Sequence, residues 1–309
     1  MSGGRAAWLC ALTLGVPGLA AAALHVVIIE GLGGEERYTR EFDAEAQAVR
    51  QASASLTSSG QIRSFQGSAA RRTDVLGYFK TLSGQLHSND RVLVYLIGHG
   101  SFDGQEYKFN IPGPDLTGHD IAAVLNALPA QQQLLIATGS SSGALQELLQ
   151  RPTRVVITAT RSGNEKNATR FGAALIAAFT DPAADLDKNG EISAQEAFDF
   201  AARRVKDEYE RATQLASEHP TLAGERASRF TVAQLAPAAP AAAAAPELAE
   251  RAALNAQIEE LRLRKEQLTE ADYDAQLEPL LLQLAQLQER IDAAGKPAPA
   301  APNARGATP

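Results

Sequence analysis

Arg91-Val-Leu-Val-Tyr-Leu-Ile97 runs without a break into Gly98-His99-Gly100-Ser101. After Arg91 the run is almost wholly apolar, which predicts a strand buried on both faces, and it stops at a glycine beside a histidine. A second such run, Gln133 to Ala137, leads into Gly139-Ser140-Ser141-Ser142-Gly143. Working outward, Leu24 to Glu30, Gln61 to Phe65 and Arg154 to Thr158 read as further strands. Helical spacing marks Asp43 to Leu56, Thr73 to Leu86, Thr117 to Leu128 and the short Ser142 to Leu149, with Thr117 and Asp120 placed as a capping box. Strands alternating with helices predict right-handed crossovers and a mainly parallel sheet covered on both faces. In such sheets chemistry gathers at the carboxyl ends of the strands, where Gly98-His99 and Gly139-Ser140 fall.

These segments resemble the caspase-like and legumain-like cysteine peptidases of clan CD. Arg91 to Ser101 resembles their histidine strand, and Ser140-Ser141-Ser142-Gly143 matches the Cys-x-Ser-Gly nucleophile motif with Ser140 in the cysteine's place. Val26-Val-Ile-Ile-Glu-Gly31 opens like the family's first strand, and Tyr38-Thr-Arg40 falls near its first-loop arginine. Asp115-Leu116 and Val155 to Thr160 also fit, so the likeness covers Leu24 to Asp181. It implies a three-layer α/β sandwich of the caspase-hemoglobinase kind. It also implies His99 as base, the Gly100 amide as an oxyanion donor, Ser140 at the nucleophile position and Arg40 as a weakly supported substrate contact. Arg40 reads equally as a solvated charge among Glu35, Glu36, Arg37 and Glu41. The polar loop Asn164 to Asn167 is either part of a recognition cleft or a solvated turn.

The chain has one cysteine, Cys10. A thiol with pKa near ~8.5 offers some thiolate at neutral pH, whereas a serine hydroxyl needs a histidine oriented by a third group. Three readings follow. The leading one is a catalytically inactive peptidase homologue, a binding or scaffold module that holds a peptide or protein ligand in the former cleft. The second is a hydrolase using Ser140 with His99, for which Asp103 is the sequence-local candidate acid. In the third, a Gly/Ser loop merely looks like the motif.

Asp185-Leu-Asp187-Lys-Asn189-Gly190-Glu191-Ile192-Ser193-Ala-Gln-Glu196 fits the constrained positions of an EF-hand calcium loop. Asp185, Asp187 and Asn189 offer side-chain oxygens, and Gly190 permits the sharp turn. Glu191 offers its backbone carbonyl, Ser193 acts directly or through water, and Glu196 closes the site. The competing reading is a capped acidic turn without Ca2+. The loop stands by itself, with no second loop to pair with, so a structural role for calcium is favoured over cooperative sensing. A further reading makes the module switch on metal.

Arg5, the apolar stretch Ala6 to Leu19 and small residues at Ala20 to Ala23 predict an export signal over 1–23, cleaved or retained as an anchor. The stretch is too short and too rich in Gly and Pro for a comfortable span, so no stable membrane span is expected after cleavage. The expected location is periplasmic or secreted. A net charge of −7 argues against nucleic acid as a partner. The caspase-like domain should occupy 24–235 and include the 185–196 loop. An Ala/Pro linker follows over 236–247, then a helical hairpin or coiled coil over 248–292 suited to self-association, and a disordered tail over 293–309.

Overall fold

Successive residues of the first strand face opposite ways. Val26 and Ile28 join one buried cluster, Val27 and Ile29 another, as the two-residue period of a strand requires. A computed structural model of the chain describes residues 22–235, 245–265 and 268–294. The expected signal up to residue 21, the linker residues 236–244 and the tail from 295 lie outside the described residues.

The chain runs β1 (Leu24–Glu30), α1 (Glu36–Ala54), β2 (Ile62–Phe65), α2 (Arg72–Ser83), β3 (Arg91–Ile97), β4 (Gly100–Phe102), β5 (Tyr107–Phe109), β6 (Leu116–Thr117), α3 (Gly118–Asn126), β7 (Gln132–Ala137), α4 (Leu145–Leu149), β8 (Arg154–Thr158), α5 (Phe171–Ala178), β9 (Glu191–Ser193), α6 (Ala194–Arg211), β10 (Thr221–Ala223), β11 (Thr231–Gln234), α7 (Ala245–Leu263) and α8 (Glu270–Ala294). The main sheet has the order β10-β8-β7-β3-β1-β2. Its neighbours are parallel except β10, which closes one edge antiparallel to β8. One face of the sheet packs on α1, α5 and α6. The other packs on α2, α3 and α4. The architecture is therefore a three-layer α/β sandwich with a mostly parallel sheet, and every residue of β3 after Arg91 is buried.

Several expectations change in detail. Helix α1 begins at Glu36 rather than at Asp43. Its first turns hold one aromatic pair, Tyr38 and Phe42, among charged residues tied by the exposed pairs Arg40–Glu36 and Arg37–Glu41, and those charge pairs are a pattern that hydrophobic periodicity cannot see. Helix α7 starts at Ala245, inside the span expected for the linker, and α8 continues to Ala294. The Thr117 and Asp120 capping box is present, and Asp120 also takes both arms of Arg72 at 2.7 and 2.6 Å. Among the described residues no helix is long and apolar enough to cross a membrane.

Candidate functional site

Both motif loops leave adjacent parallel strands at the same end of the sheet. Leu96 at the end of β3 sits in register with Ala137 at the end of β7. The loops then pack backbone to backbone, since a Cβ on Gly139 would run into the carbonyl of Gly98. Gly100 opens β4 and pairs with Phe109. A side chain at Gly100 would meet the Tyr107 hydroxyl and come within 2.7 Å of the Ser140 carbonyl. The backbones of the His99 and Ser140 loops are thus neighbours in the fold.

Their polar atoms are engaged elsewhere. The Ser140 hydroxyl donates to the Gly100 carbonyl at 3.0 Å, and among the described residues no hydrogen bond joins it to His99. The imidazole is half-buried between Tyr38 (ring centroids 4.7 Å apart) and Phe42 (5.0 Å), both met edge-on. Burial lowers its pKa from the ordinary histidine value, against the weaker pull of the Gly33 backbone, Glu35 and Glu41. The ring is therefore mostly neutral at pH 7.

Asp103, the expected candidate for the orienting acid, serves another purpose. It accepts from the Gln105 and Glu106 amides at 3.0 and 2.9 Å and from Lys108 Nζ at 2.9 Å, closing the β4–β5 turn. These bonds hold its carboxyl well below the usual range. Arg40 is exposed and paired with Glu36 at 2.5 Å. The tail of the Asn164 to Asn167 loop reaches a groove beside Tyr38, lined also by Arg37, Asn167, Arg170 and Leu215.

The serine loop is held from behind. Ser141 adopts φ 57°, a conformation costing a non-glycine residue about 1 kcal/mol, and its amide donates to the Glu165 carbonyl at 2.8 Å. The Gly143 amide donates to the Thr160 hydroxyl at 2.8 Å. Beneath the loops, Glu45 of α1 is buried with one carboxyl oxygen unpartnered. Burial pushes its pKa up to about 7, opposed by a hydrogen bond from Thr138, the residue before Gly139. Phe42 and Glu45 escape the motif reading, and Tyr38 and Thr160 enter it only as members of matched stretches, with no role of their own. The one available signal was the four-residue spacing of Tyr38 and Phe42, which puts both on one helical face.

The acidic loop between α5 and α6 forms a second candidate centre. Oxygens of Asp185, Asp187 and Glu196 lie within 4.8 Å of one another, close enough to share a metal ion. All are hard carboxylate donors, the type preferred by calcium and magnesium. The turn is made by Lys188 (φ 56°) and Gly190 (φ 82°). Asp185 accepts the Asn189 and Gly190 amides at 2.9 Å each, and Asn189 Oδ1 accepts the Glu191 amide at 2.6 Å. Glu196 accepts from the Ser193 amide and hydroxyl through Oε2, and from the Leu186 amide through Oε1. It thereby closes a capping box that starts α6. Burial first, then the charges of Glu196 and Asp185, push the Asp187 carboxyl up to about 6. A divalent cation would relieve that repulsion. The residues present therefore fit such an ion, with Asp185, Asp187 and Glu196 as the converging carboxylates.

The loop is not without a pairing strand. Ile192 is buried and lies opposite Ala233, and Ser193 opposite Thr231, so β9 is held antiparallel by β11 of the same chain. This strand is not a second calcium loop, so it takes the place of such a partner without being one.

No family model matches the chain, and no curated protein matches it. Among solved structures it is similar to protein GSU0716 from Geobacter sulfurreducens, with TM-score 0.45 and 15% identity over 70% of this chain and 99% of that one.

Proposed function

We propose that this chain is an exported, calcium-binding relative of the caspase-like and legumain-like peptidases. On this reading it has lost turnover, and it holds a peptide or protein ligand in the former cleft. The observation that carries the reading is the Ser140 hydroxyl, which gives its proton to the Gly100 carbonyl at 3.0 Å instead of to the neighbouring imidazole. A serine nucleophile requires a base that accepts its proton and an acid that orients that base. Here the imidazole is flanked by two aromatic rings, and the nearby Asp103 is spent on Lys108.

The serine-hydrolase alternative keeps one supporting observation. A neutral imidazole, favoured by the burial of His99, is the form a general base needs. One experiment separates the two: exposure of the purified protein to a fluorophosphonate probe. No adduct is expected. A stoichiometric adduct that disappears in Ser140→Ala would replace the binding-module reading with the hydrolase one.

Calcium is the proposed ion of the 185–196 loop, read as an EF-hand. Asp185, Asp187 and Glu196 would be its carboxylate ligands, and Asn189, the Glu191 carbonyl and Ser193 the remaining positions. The ion would brace the start of α6 against the sheet. The periplasm or the exterior, where such modules work near ~10⁻⁴ to 10⁻³ M calcium, is the fitting location. Self-association through 248–292 is the proposed use of the hairpin, supported by the exposed Leu281 and Leu282 of α8.

A further inference from the structure

Helices α7 and α8 form an antiparallel hairpin, since Glu250 and Arg251 near the start of α7 meet Arg290 and Gln288 near the end of α8. The hairpin touches the body at the acidic loop, where Asn255 of α7 donates through Nδ2 to Asp187 Oδ2 at 3.1 Å. The same carboxylate oxygen accepts Asn189 Nδ2, also at 3.1 Å. Two side-chain amides, one from the loop and one 68 residues beyond Asp187, therefore converge on one oxygen of the acidic cluster. Both amides line a groove of about 670 Å³, together with Asp187, Glu196 and Ile258.

An amide has a second end. Rotating it by half a turn puts Oδ1 where Nδ2 stands, because the two atoms are nearly equal in size and reach. Calcium ligands stand about 2.3–2.6 Å from the ion in a crowded shell, which sets neighbouring oxygens about 2.7–3.7 Å apart. The 3.1 Å between Asn255 and Asp187 Oδ2 falls in that interval. The loop also has a place for another donor. The Ser193 hydroxyl is committed to the α6 capping box, accepting the Glu196 amide at 3.2 Å and donating to Glu196 Oε2 at 2.8 Å. Its position in a shell of about six to eight oxygens is left to water or to a group from outside the loop.

We infer that Asn255 is a calcium ligand supplied by α7, and that the bound ion pins the hairpin onto the acidic loop. The inference rests on the reading that this loop takes calcium. In the ion-free loop the Asn255 N–H group offsets the negative charge of Asp187. With the ion present a donor aimed at that oxygen is repelled, and the amide turns to give its carbonyl oxygen. The second contact is the stronger, being an oxygen dipole on a dication rather than one hydrogen bond to a carboxylate. By reciprocity, a docked hairpin raises calcium affinity by the same factor as calcium tightens docking.

The test uses the full chain carrying Cys10→Ser, with spin labels on Lys206→Cys of α6 and Gln286→Cys of α8, both exposed positions. Bound calcium is counted by equilibrium dialysis while the label separation is measured in the same samples. In the otherwise unaltered chain the distribution of separations should narrow as calcium binds. Asn255→Ala should bind calcium roughly tenfold more weakly and show no narrowing. Asn255→Asp offers an oxygen at the same place. It should bind calcium at least as tightly as Asn255 does, while in chelator its charge stands against Asp187 and the distribution broadens. Equal calcium affinity in Asn255→Ala, weaker binding by Asn255→Asp than by Asn255→Ala, or calcium bound without narrowing overturns the assignment of Asn255 and leaves the calcium site standing. No calcium retained by the chain with Asn255 intact overturns both.

Discussion

Ile192 faces Ala233 across an antiparallel bridge, so the strand of the acidic loop is completed by a strand that follows α6 in the same chain. Ile192 is fully buried in the cluster shared by α5, α6 and the main sheet. The geometry of the candidate metal site is thereby tied to the core of the domain. Replacing Ile192 with Ala should lower unfolding free energy by about 2–4 kcal/mol, through lost burial and the cavity left behind. Urea unfolding in the presence of a chelator measures this, and an unchanged midpoint would disconnect the loop from the core.

Calcium should stabilise the folded chain in proportion to occupancy. At a hundred times its Kd the gain is about 2.7 kcal/mol, visible as a rise in Tm over the chelated protein. Asp185→Asn should remove most of that rise. In chelator the substitution relieves repulsion among three carboxylates but turns one of two oxygens that accept the Asn189 and Gly190 amides into an NH2, so the calcium-induced rise, not the chelated Tm, is the readout. Equal calcium-induced shifts in both proteins would refute the assignment of Asp185 as a ligand.

Glu45 gives a pH dependence with a definite sign. Its folded pKa is raised to about 7 from a reference near 4.5. Between those values the unfolded chain releases the proton while the folded chain keeps it. Stability is therefore highest below the unfolded value, falls as pH rises toward 7 and levels off above it. The loss is on the order of 3 kcal/mol for a group this buried. Glu45→Gln should melt higher than wild type at pH 8 and lose that advantage at pH 5. A Tm difference independent of pH would show that Glu45 ionises normally.

Gly139→Ala tests the contact between the two motif loops. The added methyl points at the Gly98 carbonyl, a rigid backbone atom, with the Gly100 amide 3.5 Å away. A loss of about 1–3 kcal/mol is expected from the forced backbone shift, read as a lower urea midpoint. Wild-type stability would mean that the loops can separate freely.

Much of the sheet was legible because burial on both faces writes itself as unbroken apolar runs. Val92 to Ile97 and Leu134 to Ala137 have few other solutions in a soluble chain. The Thr117 capping box and the turn at Gly190 were also legible, being local and dictated by residues a few positions apart. The first turns of α1 were not, because the single Tyr38–Phe42 spacing is outnumbered there by Arg and Glu pairs that carry no apolar signal. The β9–β11 pairing and the Asn255–Asp187 bond were also hidden, as each joins segments far apart in the sequence.

The sequence by itself determined the layered, mainly parallel sheet, the ends of the strands where His99 and Ser140 stand, and the three carboxylates, Asp185, Asp187 and Glu196, that converge in the 185–196 loop. These follow from local periodicity and from the chemistry of single residues. Only the tertiary structure decided which way the Ser140 proton points, that Asp103 serves Lys108 rather than the imidazole, and that β11 pairs with the strand of the acidic loop. Hydrogen-bond direction and charge pairing depend on distances of a few tenths of an ångström between segments that the linear order leaves unrelated.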